Sequence, residues 1–224
     1  MNLKHAICLL TIAILFSCSN RNKPADRLSI SIDLNRKDVV SIYDIFDSIR
    51  VIPLETKEES LIKNISKVIV ADSLYYIFDS SLSRVFLFRK DGTYISKIDR
   101  RGDGPEEYIG LSDIVFQSEN NHLLLLAPQN RALHVYNHQL QFQKSIKLPL
   151  IKGAYHRMIS LNADTLVFWT SDYHNRLKLY SLHSNQITSE LFPEDEVFLN
   201  KFSPTMFPYK NLLTRSSSNT IYTI

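Results

Sequence analysis

Cysteine is almost missing from this chain. Among 224 residues only Cys8 and Cys18 occur, both within the first 18 positions. A disulfide framework is therefore excluded, and so is a thiolate zinc site in the body of the protein. Five glycines are too few for a collagen-like or glycine-linker design. No apolar run reaches the roughly 20 residues that a membrane-spanning helix needs. Neither sign of charge prevails, because 26 Lys and Arg oppose 23 Asp and Glu for a formal +3. That balance is too even to mark a nucleic-acid surface. No Gly-x-Ser-x-Gly elbow occurs, which removes the familiar serine hydrolase signal. No cofactor and no nucleic-acid partner are expected. Aromatics, in contrast, are plentiful, with 11 Tyr and 12 Phe, and aromatics favour strands.

The N-terminus reads as an address. Lys4 precedes an unbroken run of 11 apolar or small residues, Ala6 to Phe16, and a polar stretch follows. A basic start, a short apolar core and a small residue before the break describe a secretory signal over residues 1–17. Leu15-Phe16-Ser17-Cys18 resembles the lipobox of bacterial lipoproteins. That resemblance implies a diacylglycerol thioether on Cys18, which only a thiol can form, and cleavage that leaves Cys18 first. Two or more acyl chains anchor stably where one binds only marginally, so the membrane is an expected partner. Residues 18–28 are then the lipidated Cys and a polar tether. The run Ser19 to Lys23 is neutral to basic, unlike the acidic run of surface-exported lipoproteins. An outer-membrane, periplasm-facing anchor is expected.

The body repeats itself. Strand-like runs at Ser66–Val70, Leu74–Phe78, Arg84–Phe88 and Tyr94–Ile98 are separated by turn formers, the clearest being Lys90-Asp91-Gly92. Tyr75–Asp79 matches Leu123–Ala127 and Leu166–Thr170. Arg84–Phe88 matches Ala132–Tyr136 and Arg176–Tyr180, and Tyr94–Ile98 matches Phe142–Ile146 and Ile187–Leu191. The first displacement is 48 in all three cases and the second is 43, 44 and 45. A period in the forties with four strands per unit predicts an all-β fold, a β-propeller of four-stranded antiparallel blades. The blades fall at about 66–98, 112–146 and 157–191, and the start of a fourth reaches 224. A two-sheet sandwich, the competing fold, has no reason to repeat a four-strand word. Alternation in the third strands, as in Leu133-His134-Val135-Tyr136 and Leu177-Lys178-Leu179-Tyr180, predicts one buried face. Ser41–Ser48 is the one candidate helix, with Ser41 and Asp44 as a capping pair.

Three pieces of the sequence carry a family resemblance. They are Ile52-Pro53-Leu54-Glu55-Thr56, Ser60-Leu61-Ile62 leading through Ile65 to Asp72, and Gly102-Asp103-Gly104-Pro105-Glu106-Glu107-Tyr108. The last is similar to G-x-G-P-G-E-Y, with Glu106 where glycine is usual. On these pieces the chain resembles the six-bladed β-propeller lipoproteins of gut-type diderm (Bacteroides-type) bacteria. The resemblance covers roughly residues 30–224 and is strongest over 50–115. It implies the fold and the address, and no settled reaction. Six blades of about 45 residues need about 270, so about three and a half blades are expected here. The sequence stops inside the apolar run Asn219–Ile224, which suggests a truncated product of a longer gene or a complementing chain that supplies the missing blades.

Candidate functional residues are few. The glycine-rich loop gathers Arg100, Arg101, Asp103, Glu106, Glu107 and Tyr108, whose mixed charges and approachable backbone suit a polar ligand. The same residues also suit a sharp inter-blade turn with no ligand. A phosphate loop is poorly supported, because no Lys-Ser/Thr follows and no helix begins there. His134 and His138 are four apart, a metal spacing only on a helix, and His122, His156, His174 and His183 scatter near turns, so no metal site is expected. Asp72, Asp79 and Asp164 lie at strand ends, where carboxylates of different blades could pair as acid and base, although turn formation is the plainer role. The aromatic stripe Tyr75, Tyr76, Phe78, Phe86 and Phe88 reads as blade core. The expected function is a lipid-anchored envelope module that binds a protein, peptide or glycan. The alternative is a hydrolase or lyase with an acidic channel site acting on a carbohydrate or lactone.

Overall fold

The computed structural model describes residues 41–172 and 175–191, and the backbone alone of 212–214 and 221–223. Cys18, the tether and His174 lie outside the described residues. Two compact units divide at Ile49 and Arg50. Among its described residues the first contains one helical turn, α1 (Ile42–Ile45). The Ser41 hydroxyl accepts from the Tyr43 N–H and the Asp44 carboxylate accepts from the Ser41 N–H at 3.0 Å, closing the capping box expected there.

The second unit is built from strands. β1 (Lys67–Ala71), β2 (Leu74–Asp79), β3 (Arg84–Arg89) and β4 (Tyr94–Ile98) form one sheet in sequence order. β5 (Asp113–Gln117), β6 (His122–Ala127), β7 (Ala132–Asn137) and β8 (Phe142–Lys147) form the next. β9 (Tyr155–Ser160), β10 (Thr165–Thr170), β11 (Leu177–Ser181) and β12 (Gln186–Leu191) form the third. All pairings are antiparallel, and β13 (Leu212–Thr214) pairs with β14 (Ile221–Thr223) beyond them. The first strands are neighbours, β1 against β5 and β5 against β9. Three separate sheets that gather their first strands together are propeller blades, and a two-layer sandwich is excluded.

The packing follows from the pleat. Tyr76, Phe78, Val85 and Leu87 of the first blade meet Ile114, Leu123, Leu125 and Tyr136 of the second. Leu124, Leu126, Leu133 and Val135 on the second blade's other face meet Met158, Leu166, Phe168 and Tyr180 of the third. Ile77, Phe86 and Phe88 turn the opposite way and pack against Leu54 and Ile62. Each fully buried side chain of this kind contributes roughly 1.5–3 kcal/mol. Because a middle strand lies between two neighbours, it buries both faces. The expectation of one buried face in the third strands is therefore corrected. His134 is 2% exposed and Lys178 only 1%.

Each of the three described blades also carries the same irregularity. The register between third and fourth strands slips at Leu87/Phe88, at Val135/Tyr136 and at Leu179/Tyr180. The three bulges occupy one repeat position.

The β3–β4 turn ties the segment before the first blade to it. Gly92 has φ +91° and its N–H donates to the Arg89 carbonyl. Its own carbonyl accepts from the Glu55 N–H at 2.8 Å, and a Cβ at Gly92 would collide with the Pro53 carbonyl. The Glu55 carboxylate in turn accepts from the Tyr94 N–H. Gly92→Ala is therefore expected to destabilise the fold by about 1–3 kcal/mol through backbone strain alone, with the steric displacement of Pro53 adding to it. Urea unfolding of the two proteins checks this, and an unchanged midpoint would contradict the stated geometry.

Candidate functional site

Strands alternate in direction, so β4 ends where β5 begins. The glycine-rich loop between them lies at the end of the propeller from which every first strand starts. Tyr108 fixes it. The phenol is fully buried, donates to the Ser83 carbonyl at 2.9 Å and accepts from the Arg100 N–H at 3.3 Å. Burial pushes the phenol well above the ordinary tyrosine range. Two backbone bonds, Tyr108 N–H to the Arg100 carbonyl and Gly102 N–H to the Tyr108 carbonyl, pinch the loop shut. Inside it the Glu107 carboxylate accepts from the Gly104 N–H, in a space that a Cβ on Gly102 would fill. Glu107 and Tyr108 are thus engaged in holding the loop. Arg100 and Glu106 form an exposed ion pair at 2.7 Å, worth little in stability. Arg101 and Asp103 face solvent.

A second group at the same end is built by register. Lys67 pairs across its blade with Phe78, Asp113 with Leu126 and Arg157 with Trp169. These are one station in three successive first strands. The Asp113 side chain is buried, and its Oδ1 accepts from Lys67 Nζ at 2.9 Å and from the Ile114 N–H. Its Oδ2 accepts from the Met158 N–H of the third blade at 2.8 Å. Lys67 Nζ also donates to the Ile114 carbonyl at 2.7 Å. Arg157 stands 3.9 Å from Asp113 and donates to the Ser112 carbonyl. One carboxylate thereby ties three blades together and leaves two partly exposed cations near the axis. At the other end of β5, Gln117 performs the matching task, donating to Ser160 Oγ at 2.9 Å and to the Asn162 carbonyl at 3.0 Å.

The strand-end acids do not converge. Asp79 ends β2 at the loop-bearing end, whereas Asp72 lies in the β1–β2 turn and Asp164 before β10, at the opposite end. Burial raises the Asp79 carboxyl, but bonds from Ser81 Oγ and from the Asn64, Leu82 and Lys63 N–H groups outweigh it and hold the group below the ordinary range. Asp164 accepts from the His183 N–H. These are the duties of turn formers. His134 bonds to Ser145 Oγ at 2.7 Å inside the second blade, while His138 sits in the β7–β8 turn and offers its carbonyl to Tyr76. Among the described residues no group of three or more potential metal ligands assembles, and no helix there is long and apolar enough to cross a membrane.

Sequence reasoning missed Asp113 and its lysine. It also missed Lys178, which binds both Asp172 at 2.7 Å and Glu190 at 2.8 Å. Only a register map places the members of either cluster side by side.

Similarity to known proteins runs through the fold. A protein of Bacteroides fragilis NCTC 9343, described as a presumptive exported protein, superposes with a TM-score of 0.66 at 20% identity, over 77% of this chain and 51% of that one. The chain thus spans about half the length of that structure. U3-55K and the RRP9 WD40 repeats each align over 62% of this chain, with TM-scores of 0.46 and 0.45 at 14% identity. A search of curated proteins finds no match. The model of a domain of unknown function, DUF4934, matches residues 28–224, and the chain belongs to that family.

Proposed function

We propose that this chain is an exported, lipid-anchored propeller that binds a protein, peptide or glycan of the cell envelope through its loop-bearing end. The observation that carries the reading is the loop itself. Buried Tyr108 and the bond from the Gly104 N–H to Glu107 brace it, while Arg101, Asp103 and the Arg100–Glu106 pair are offered outward. A preorganised polar surface of mixed sign binds without first paying to order itself. The exported description of the Bacteroides fragilis protein and the lipobox at Cys18 support the address. Further blades, from a longer chain or a second one, would complete the ring beside the exposed Val68 and Val70 of β1.

Two experiments test the reading. Metabolic labelling with a radioactive fatty acid is expected to mark the native chain and to fail for Cys18→Ala, which moves from the membrane fraction to the soluble one. A native chain that takes up no label ends the anchored reading, and a Cys18→Ala chain that still carries it ends the assignment to Cys18. Photo-crosslinking in intact envelopes is expected to capture a defined partner from position 101 or 103 but not from Gln139, in the β7–β8 turn at the opposite end. Equal capture from both ends, or capture from the opposite end alone, removes the role of the loop.

A further inference from the structure

The repeat places one station in three different states. Phe86, His134 and Lys178 are equivalent, opposite Ile77, Leu125 and Phe168 on one side and Lys97, Ser145 and Glu190 on the other. In the second blade the station is roofed by the glycine-rich loop. The Tyr108 and His134 rings lie 5.9 Å apart, and Ser145 Oγ reaches the Pro105 carbonyl. In the third blade the connection from β8 to β9, residues 148–154, is half as long as residues 99–112. It cannot form the same roof. A cleft of about 600 Å³ remains in its place.

The cleft is chemically composed. Its apolar wall is Pro149, Leu150, Ile151 and Ile187, with Leu150 79% exposed at the lip. Its polar wall carries the amides of Asn175, Asn185 and Gln186 and the carboxylates of Asp172 and Glu190. Lys178, buried behind them, holds both carboxylates, and Asn175 Nδ2 donates to Glu190 Oε2 at 3.0 Å. Glu190 keeps further lone pairs, since each carboxylate oxygen accepts twice. Lys178 pairs with both acids and Lys152 adds a cation at the rim, so neither sign prevails among the lining side chains. Amides and carboxylates side by side offer both donors and acceptors, which suits groups that are both, namely hydroxyls. The apolar wall suits the C–H face of a pyranose ring. A volume of this size accommodates a short oligosaccharide.

We propose that this cleft, between the β8–β9 connection and the outer strands of the third blade, binds a neutral saccharide. It is separate from the loop at residues 100–108, so its failure leaves the reading of that loop intact. The test is isothermal titration of the full-length chain in detergent with maltohexaose, xylohexaose and mannohexaose, and with hexagalacturonate as the anionic control. At least one neutral hexasaccharide is expected to bind, and hexagalacturonate is not. Asn175→Ala and Gln186→Ala, both outside the core, are each expected to weaken binding at least about tenfold with an unchanged melting temperature. Arg101→Ala is expected to leave it unchanged. The proposal is overturned if the folded chain binds no neutral hexasaccharide, if it prefers hexagalacturonate, or if binding survives both cleft variants. Loss of saccharide binding in Arg101→Ala alone would move the site to the loop and overturn it as well.

Discussion

Asp113→Ala is expected to lower the unfolding free energy by about 3–5 kcal/mol, the cost of removing one partner from a buried ion pair. The carboxylate is nearly inaccessible and serves three donors at once, Lys67 Nζ, the Ile114 N–H and the Met158 N–H. Alanine leaves two buried amides without their acceptor and Lys67 with the Ile114 carbonyl alone. Urea unfolding followed by the fluorescence of Trp169 measures the loss. Asp113→Asn keeps one acceptor oxygen but turns an amide donor toward donors, so it is expected to recover only part. A loss below about 1 kcal/mol for Asp113→Ala would mean that the three-blade tie does not operate in solution.

Lys178→Met is expected to cost about 3 kcal/mol or more for the same physical reason. The ammonium is 1% exposed and lies between Asp172 and Glu190. Methionine fills the space of the stem but removes the ammonium that the buried Asp172 carboxylate and Glu190 share. The double variant Lys178→Met with Asp172→Leu is expected to regain part of the loss, because the buried carboxylate is then removed together with its ammonium. Burial pulls the lysine down, but the hydrogen bonds and charges of Asp172 and Glu190 outweigh it and raise its pKa. A raised folded pKa means that this stabilisation is complete at neutral pH and is lost only as pH climbs past the ordinary lysine range. Wild type and Lys178→Met should therefore differ by a constant amount between pH 6 and about 9. A difference that vanishes at pH 7 would contradict a charged Lys178.

The blades were legible because three strands of each step through the sequence together, and because turn formers such as Asp91-Gly92 punctuate them. The first strands were harder. Asp72 and Ser73 alone separate β1 from β2, whereas residues 118–121 separate β5 from β6. This difference puts Lys67 and Asp113 46 residues apart, out of step with the 48 of the other strands. The tie between blades was invisible for that reason. Lys178 was hidden by a different rule. Polar alternation along β11 resembles a wetted face, and only the presence of a neighbouring blade turns that face inward. The glycine-rich loop was conspicuous in sequence, yet its most conspicuous members, Glu107 and Tyr108, spend their polar atoms on the backbone around them. Of the acids that seemed able to meet, Asp79 lies at one end and Asp72 and Asp164 at the other, each engaged in its own turn.

The bulges shared by the three outer strand pairs have a consequence for crowding. β4, β8 and β12 each end their sheet, and an outermost strand with free amides and carbonyls is a template onto which a foreign chain can add. At Leu87/Phe88, Val135/Tyr136 and Leu179/Tyr180 the ladder skips a residue and the outer strand twists away from flatness. An incoming segment in even register would match half of such a strand and miss the other half. The slip that looks like a flaw inside each blade thus discourages one molecule from growing onto the next, a safeguard repeated around the rim.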